Sequence, residues 1–328
     1  MKGGELVFSN NKTCIFKPKV PCKGKRRNKL HLSKVVVTDD KSYKQEKEMN
    51  EQIKRIKNYK EWALVFDEFC DVPDDKTFKK YDKDIEDCRK QLFSEIFDRE
   101  WKWRTTPFQD LAISSLEKNG KMMTGKYGGM IFADYCEKIF KKEAFSRVEF
   151  LPVFRDFVSS LKSLFIGLKE MKKHKIVHLD VKDNNIVYGE KEKSMKFIDF
   201  GLSDKITRKI SFETRSLNEY MTNRFYIWYP LDYLLYYAHK KNIVSNDIIS
   251  QYHIINRVNG DFYMKIHNYI RSIFIDDKNE FDGYKIHDKI IQDIESGRIS
   301  EKNMLEKIDI YGVGICILLN MIYYLDYT

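Results

Sequence analysis

The chain has 328 residues, of which 42% are hydrophobic and 14% aromatic, so a disordered or low-complexity protein is excluded. Lysine and arginine number 59 against 49 acidic residues, a net charge of +10, which favours acidic partners but more often marks a solvated surface. No apolar run opens the chain as a secretory leader would. Six cysteines (Cys14, Cys22, Cys70, Cys88, Cys136, Cys316) include no CxxC pair, so metal binding through cysteine is not expected and reduced cytosolic thiols are. The length suffices for two units, each with its own core.

The elements follow in order. Glu5–Phe8 and Thr13–Lys17 read as short strands about an Asn-Asn turn. Residues 17–29, KPKVPCKGKRRNK, form a basic run. It suits nucleic acid or an anionic surface, although a solvated loop between strands is the favoured reading. Residues 30–37, LHLSKVVV, alternate and are β-branched, which predicts a strand with Lys34 inside it. A helix is expected over Ser42–Tyr59, with Met49, Ile53 and Ile56 as its apolar stripe. Glu61–Asp71 reads as another strand. Residues 72–118 are polar and charged, with a helical segment at Asp84–Arg99, and read as an insertion. A strand is expected from Lys121, with Gly128-Gly129 turning the chain into its second half. Residues 152–174 predict a helix with Pro152 near its start. Phe154, Phe157, Val158, Leu161, Leu164, Phe165, Leu168 and Met171 supply its core stripe.

The stretch His174–Asp204 carries the chemistry. It reads HKIVHLDVKDNNIVYGEKEKSMKFIDFGLSD. Strands at Ile186–Tyr188 and Met195–Ile198, with a turn at Gly189, bring a carboxylate, a lysine, an amide and a second carboxylate together. That set suits phosphoryl transfer. The reaction needs a group to orient the attacking hydroxyl and metal ions to neutralise phosphates. Asp180 is of the right type for the first role. Asn185 and Asp199 offer hard oxygen ligands for magnesium. Lys182 can hold a phosphoryl group as a point charge.

HLDVKDNN followed by DFG closely resembles the signature of the protein kinases, H-R-D-L-x-x-x-N and then D-F-G. The resemblance implies a bilobal α+β kinase-like fold. It has a small β-rich N-lobe over 1–125, with its insertion at 72–118. A mainly helical C-lobe follows over 126–328, with a second insertion at 238–305, and stops after its central helix. The resemblance also implies ATP and Mg²⁺ as cofactors. Asp180 becomes the catalytic base, and Lys182, steadying the γ-phosphate, is the mark of a serine/threonine enzyme. Asn185 and Asp199 become the metal ligands. Lys34 becomes the strand lysine that binds the ATP phosphates, with Lys29 the nearest substitute. Glu46 becomes its helix partner, Glu48 and Glu51 being alternatives. Gly3 and Gly4 stand where the phosphate-covering loop belongs, although the full G-x-G-x-x-G-x-V is not present. Met123 becomes the residue guarding the adenine site.

Residues 202–225 then fit an activation loop, with hydroxyls at Ser203, Thr207, Ser211, Thr214, Ser216 and Thr222. Many kinases have an arginine before the catalytic aspartate to bind a loop phosphate; here the residue is Leu179, so phosphorylation of the loop is not expected to be the switch. Pro230-Leu231-Asp232 occupies the place of Ala-Pro-Glu. Asp309-Ile310-Tyr311-Gly312-Val313-Gly314 resembles the aspartate that opens a buried C-lobe helix. The apolar run Ile310–Leu325 is too short for a membrane span. The inserts and the NNKTCIFKPKVPC stretch resemble kinases of large cytoplasmic DNA viruses, which implies host cytoplasm or virion. The expected partner is a protein substrate, with no membrane and with nucleic acid only through the 17–29 run. The alternatives are a pseudokinase scaffold and a small-molecule kinase.

Overall fold

The computed structural model describes residues 5–9, 13–22, 31–37, 40–73, 88, 120–140, 147–206, 228–240 and 283–325. They form two compact units, one of 1–129 with 198–201, the other of 130–197 with 202–328.

The first unit is built on an antiparallel sheet. Its strands are β1 (Glu5–Ser9), β2 (Thr13–Lys17), β3 (His31–Val37), β4 (Glu68–Asp71) and β5 (Gly120–Lys126), ordered β1-β2-β3-β5-β4. Register decides what each face carries, because side chains alternate along a strand. Cys14 pairs with Val35, Val35 with Met122, and Met122 with Cys70. One residue along, Ile15 pairs with Lys34, Lys34 with Met123, and Met123 with Phe69. The first row belongs to an apolar core with Phe16, Val20, Cys22, Val72 and Cys88. The second row carries Lys34.

The cysteines overturn the expectation of reduced thiols. Cys14 is bonded to Cys88 and Cys22 to Cys70, with Cα separations of 5.8 and 6.0 Å. Those separations lie in the range a disulfide spans. The partners stand 74 and 48 residues apart in sequence, and each bond ties one strand residue, Cys14 of β2 or Cys70 of β4, to a cysteine outside the sheet. Cys136 and Cys316 are buried thiols.

Helix α1 (Asp40–Lys54) buries Glu46, Met49, Asn50 and Ile53, which recur at helical spacing. It stops earlier than the expected Tyr59. The Asn50 amide donates to the Glu46 carbonyl at 2.7 Å, and its oxygen accepts the Phe66 N–H at 2.7 Å. Glu61–Asp71 is not one strand, and the Phe66 N–H goes to Asn50 rather than to a neighbouring strand. A short helical turn at Tyr59–Glu61 is followed by buried Trp62, Ala63 and Val65, and the continuous strand begins at Glu68. Asp84–Arg99 lies outside the described residues except for Cys88.

The second unit holds two small sheets and the long helices. Strands β6 (Met130–Ile131), β8 (Ile186–Gly189) and β9 (Ser194–Phe197) form one sheet, and β7 (Ile176–Val177) pairs with β10 (Asp204–Lys205). Among the described residues the helices are α2 (Phe132–Phe140), α3 (Arg147–Lys173), α4 (Leu231–Lys240), α5 (Gly283–Glu295) and α6 (Glu301–Leu325). Pro152 is inside α3 rather than at its start, so the Val148 carbonyl loses its helical N–H partner there. Phe157, Leu161, Leu164 and Met171 are buried as expected, but Val158 and Phe165 are exposed. Helix α5 and the first turn of α6, which starts at Glu301, fall within residues 238–305. Gly312 lets α6 approach the loop after β7: a Cβ there would lie 2.8 Å from the Val181 Cβ and 2.9 Å from its carbonyl oxygen. Among the described residues, no helix is long and apolar enough to cross a membrane.

Candidate active site

Two clusters of charged side chains carry the expected residues. In the first unit, Lys34 projects from the sheet face opposite the disulfide core. Its Nζ lies 3.2 Å from Glu46 Oε1 and 2.8 Å from Asp199 Oδ1. The three candidates are thus one ion-paired group. Of the open alternatives, Glu48 accepts from Gln52 and Glu51 pairs with Lys54, so Glu46 is the helix carboxylate at Lys34. Lys34 and Glu46 are buried. Burial works to lower the Lys34 pKa, but the carboxylates of Asp199 and Glu46 outweigh it and hold the ammonium above its ordinary value. Burial likewise pushes the Glu46 carboxyl up, against the pull of Lys34. Asp199 has a left-handed backbone, φ 61°. Gly201 follows closely: a Cβ there would lie 3.1 Å from Glu46 Oε2 and 3.3 Å from Asp199 Oδ1. Met123 is fully buried beside Lys34 on β5. Gly3 and Gly4 lie outside the described residues.

In the second unit, the loop between β7 and β8 presents Asp180, Lys182 and Asn185. Asn185 donates its amide to both the Asp180 carbonyl and Asp180 Oδ2, each at 2.8 Å. Lys182 pairs with Asp180 Oδ2 at 3.0 Å. The short helical turn Asp183–Asn185 makes this reach feasible, since the Asn185 N–H bonds back to the Lys182 carbonyl at 2.9 Å. The loop is in turn fixed from α6. Asp309 accepts the N–H groups of His178 and Leu179 at 2.6 and 2.9 Å. Burial raises the Asp309 pKa, against the opposing effects of His178 and the two N–H bonds.

Sequence reading singled out Asp309 as a landmark but not as the acceptor that holds this loop. It missed Tyr229, whose hydroxyl donates to the Leu179 carbonyl at 2.7 Å, and Asn50, which ties Glu46's helix to Phe66. Neither belongs to a motif, so no local signal marked them. Ser203 was counted among the loop hydroxyls. It is fully buried and donates to the His178 carbonyl at 3.0 Å, which makes it part of the support. Thr207, Ser211, Thr214, Ser216 and Thr222 lie outside the described residues. Of the basic run, Lys17 lies over the Tyr127 ring, 3.3 Å from its centroid, and Lys19 pairs with Glu68 at 3.5 Å, so both serve internal contacts. Residues 23–29 of the run are outside the described set.

A sheet-based first unit, a helical second unit and an Asp-Lys-Asn loop between short strands define the architecture. The protein kinase domain family model matches residues 123–229. This is a kinase-like fold. The match includes Asp180, Lys182, Asn185 and Asp199. The serine/threonine-protein kinase prpf4B of Dictyostelium discoideum is 37% identical over 65 residues, which is 20% of this chain. The aligned stretch spans only 7% of that relative's length. Both likenesses support phosphotransfer as the general chemistry of the kinase-like domain.

Proposed function

We propose that this chain transfers the γ-phosphoryl group of ATP, with Mg²⁺, to serine and threonine hydroxyls of proteins. The observation that carries the reading is the Asp180 carboxylate, held by the Asn185 amide and paired with Lys182. The donor set fits the cofactors. Asp199 and Asn185 offer the carboxylate and amide oxygens that magnesium takes, and Lys34 is a buried ammonium of the kind that binds phosphate. Bound Mg²⁺ would supply charge neutralisation for the phosphates. Asp180 would orient the substrate hydroxyl and accept its proton, and Lys182 would steady the phosphoryl oxygens. Glu46 would keep Lys34 aimed, and Met123 would border the adenine.

Residues 1–125 would form the N-lobe and 126–328 the C-lobe, with insertions at 72–118 and 238–305. The serine/threonine preference rests on Lys182 and on the likeness to prpf4B. Kinship with kinases of large DNA viruses is part of the proposal and rests on resemblance alone. The two disulfides suit an oxidising setting, which favours the virion over a reducing cytosol.

The test is purified protein with labelled ATP, Mg²⁺ and a basic protein substrate, beside Asp180→Asn. Label on serine and threonine of the substrate, absent with Asp180→Asn, is expected. Label on tyrosine alone or on a metabolite would overturn the substrate class. No label with intact ATP binding would leave a pseudokinase.

A further inference from the structure

The peptide bond between Leu179 and Asp180 is held at both ends. Its N–H, on Asp180, points to His178 Nδ1 at 3.3 Å. Its carbonyl, on Leu179, accepts the Tyr229 hydroxyl at 2.7 Å. A peptide unit is planar, so fixing its carbonyl fixes the direction in which the next residue leaves. The next residue is Asp180. Leu179 itself has φ 67°, a left-handed conformation that a leucine keeps only when its surroundings impose it.

Those surroundings are apolar. The Leu179 and Tyr229 side chains are each 1% exposed and share one cluster with Val177, Tyr233, Leu305 and Ile308. The Tyr229 ring meets Tyr233 edge-on, 5.3 Å between centroids. Tyr229 sits just before Pro230 and α4, at the far end of the chain segment that leaves the Asp199-Phe200-Gly201 motif. A charged arginine at position 179 would be desolvated in this cluster, whereas the backbone carbonyl needs only a neutral donor.

We propose that Tyr229 is a positioning residue for Asp180. It ties the chain just before α4 to the loop of Asp180 by a buried hydroxyl–carbonyl bond that needs no phosphate. The orientation of Asp180 then does not wait on phosphorylation of that segment. The proposal rests on the phosphotransfer reading above.

The experiment compares wild type, phosphatase-treated wild type and Tyr229→Phe, which removes the hydroxyl and keeps the ring. Turnover, KM for ATP, melting midpoint and hydrogen exchange over 176–188 are measured. Expected are a loss in kcat of tenfold or more in Tyr229→Phe, a KM for ATP within twofold, a midpoint lowered by only a few degrees, and faster exchange at 176–188. Phosphatase treatment should leave wild-type turnover within twofold. Tyr229→Phe turnover within twofold of wild type would overturn the role, as would a kcat loss with unchanged exchange at 176–188. A tenfold loss on phosphatase treatment would overturn it too. Wild type that transfers no phosphate, matching Asp180→Asn, marks failure of the phosphotransfer reading itself.

Discussion

Lys34 is held by two carboxylates in a buried setting, and removing it would leave Glu46 buried beside Asp199 without its cation. Breaking a buried pair by deleting one partner typically costs about 3–5 kcal/mol, mostly through the charge left behind. Lys34→Met is therefore expected to lower the stability of the first unit as well as to reduce phosphoryl transfer by about a hundredfold or more, the scale of losing one fixed electrostatic contact. Steady-state kinetics and urea denaturation on the same preparation check both effects. Glu46→Gln keeps the Lys34–Asp199 contact, so it should fold nearly as well as wild type and lose less activity than Lys34→Met. The reverse order would remove Glu46 from its role. Asn50 acts through the backbone. Asn50→Ala leaves the buried Phe66 N–H without its 2.7 Å acceptor, at a cost of about 1–3 kcal/mol. A denaturation midpoint equal to wild type would show that Phe66 finds another acceptor.

At the scale of elements, α6 and the loop between β7 and β8 are pressed together at Gly312. In an exposed helix, glycine to alanine stabilises by about 0.5–1 kcal/mol. Here the added methyl would meet Val181 at 2.8 Å, part of it backbone at 2.9 Å. Gly312→Ala is expected to reverse the ordinary sign, lowering the melting midpoint and slowing turnover, since the loop that shifts is the one Asp309 holds. Gly314 on the same helix has nothing within 4 Å of an added Cβ, so Gly314→Ala serves as the control and should not destabilise. Differential scanning calorimetry of the pair decides it, and equal midpoints would contradict the close approach.

For the whole molecule, the two units are held by different means. The first has two disulfides tying β2 and β4 to Cys88 and Cys22, around an apolar core. The second, among the described residues, has only the buried thiols Cys136 and Cys316. Loss of a native disulfide typically costs about 2–5 kcal/mol. Reductant should therefore weaken hydrogen-exchange protection across residues 13–72 and leave that of 147–188 as it was. Two units with separate cores can unfold in separate transitions, so each midpoint named here is read from the transition of the unit that carries the substitution. Non-reducing peptide mapping should recover the pairs Cys14–Cys88 and Cys22–Cys70. Six free thiols in protein purified without reductant would contradict the fold of the first unit.

The residues between His174 and Asp204 were readable because their chemistry is local: Asp180, Lys182 and Asn185 lie within one turn of chain, and β8 and β9 form a hairpin that alternation and a glycine turn announce. The strand at Lys34 and the helix carrying Glu46 were readable for the same reason, through period two and period 3.6. Glu46 was favoured because it lies three and seven residues before Met49 and Ile53, on the apolar face of the helix, but Glu48 and Glu51 stayed open until packing showed Glu46 at Lys34. The disulfides were not expected because spacing along the chain does not show which cysteines meet; Cys14 and Cys70 share a row with Val35 and Met122, but their partners Cys88 and Cys22 come from outside the sheet. Tyr229 and Asp309 act on the backbone of a loop 50 and 130 residues away, respectively, when measured to Leu179. The partners of the Asp180 carboxylate were local, but a bond between a side chain and a distant main-chain group leaves no pattern in sequence, so only the tertiary structure decided how the backbone before Asp180 is held.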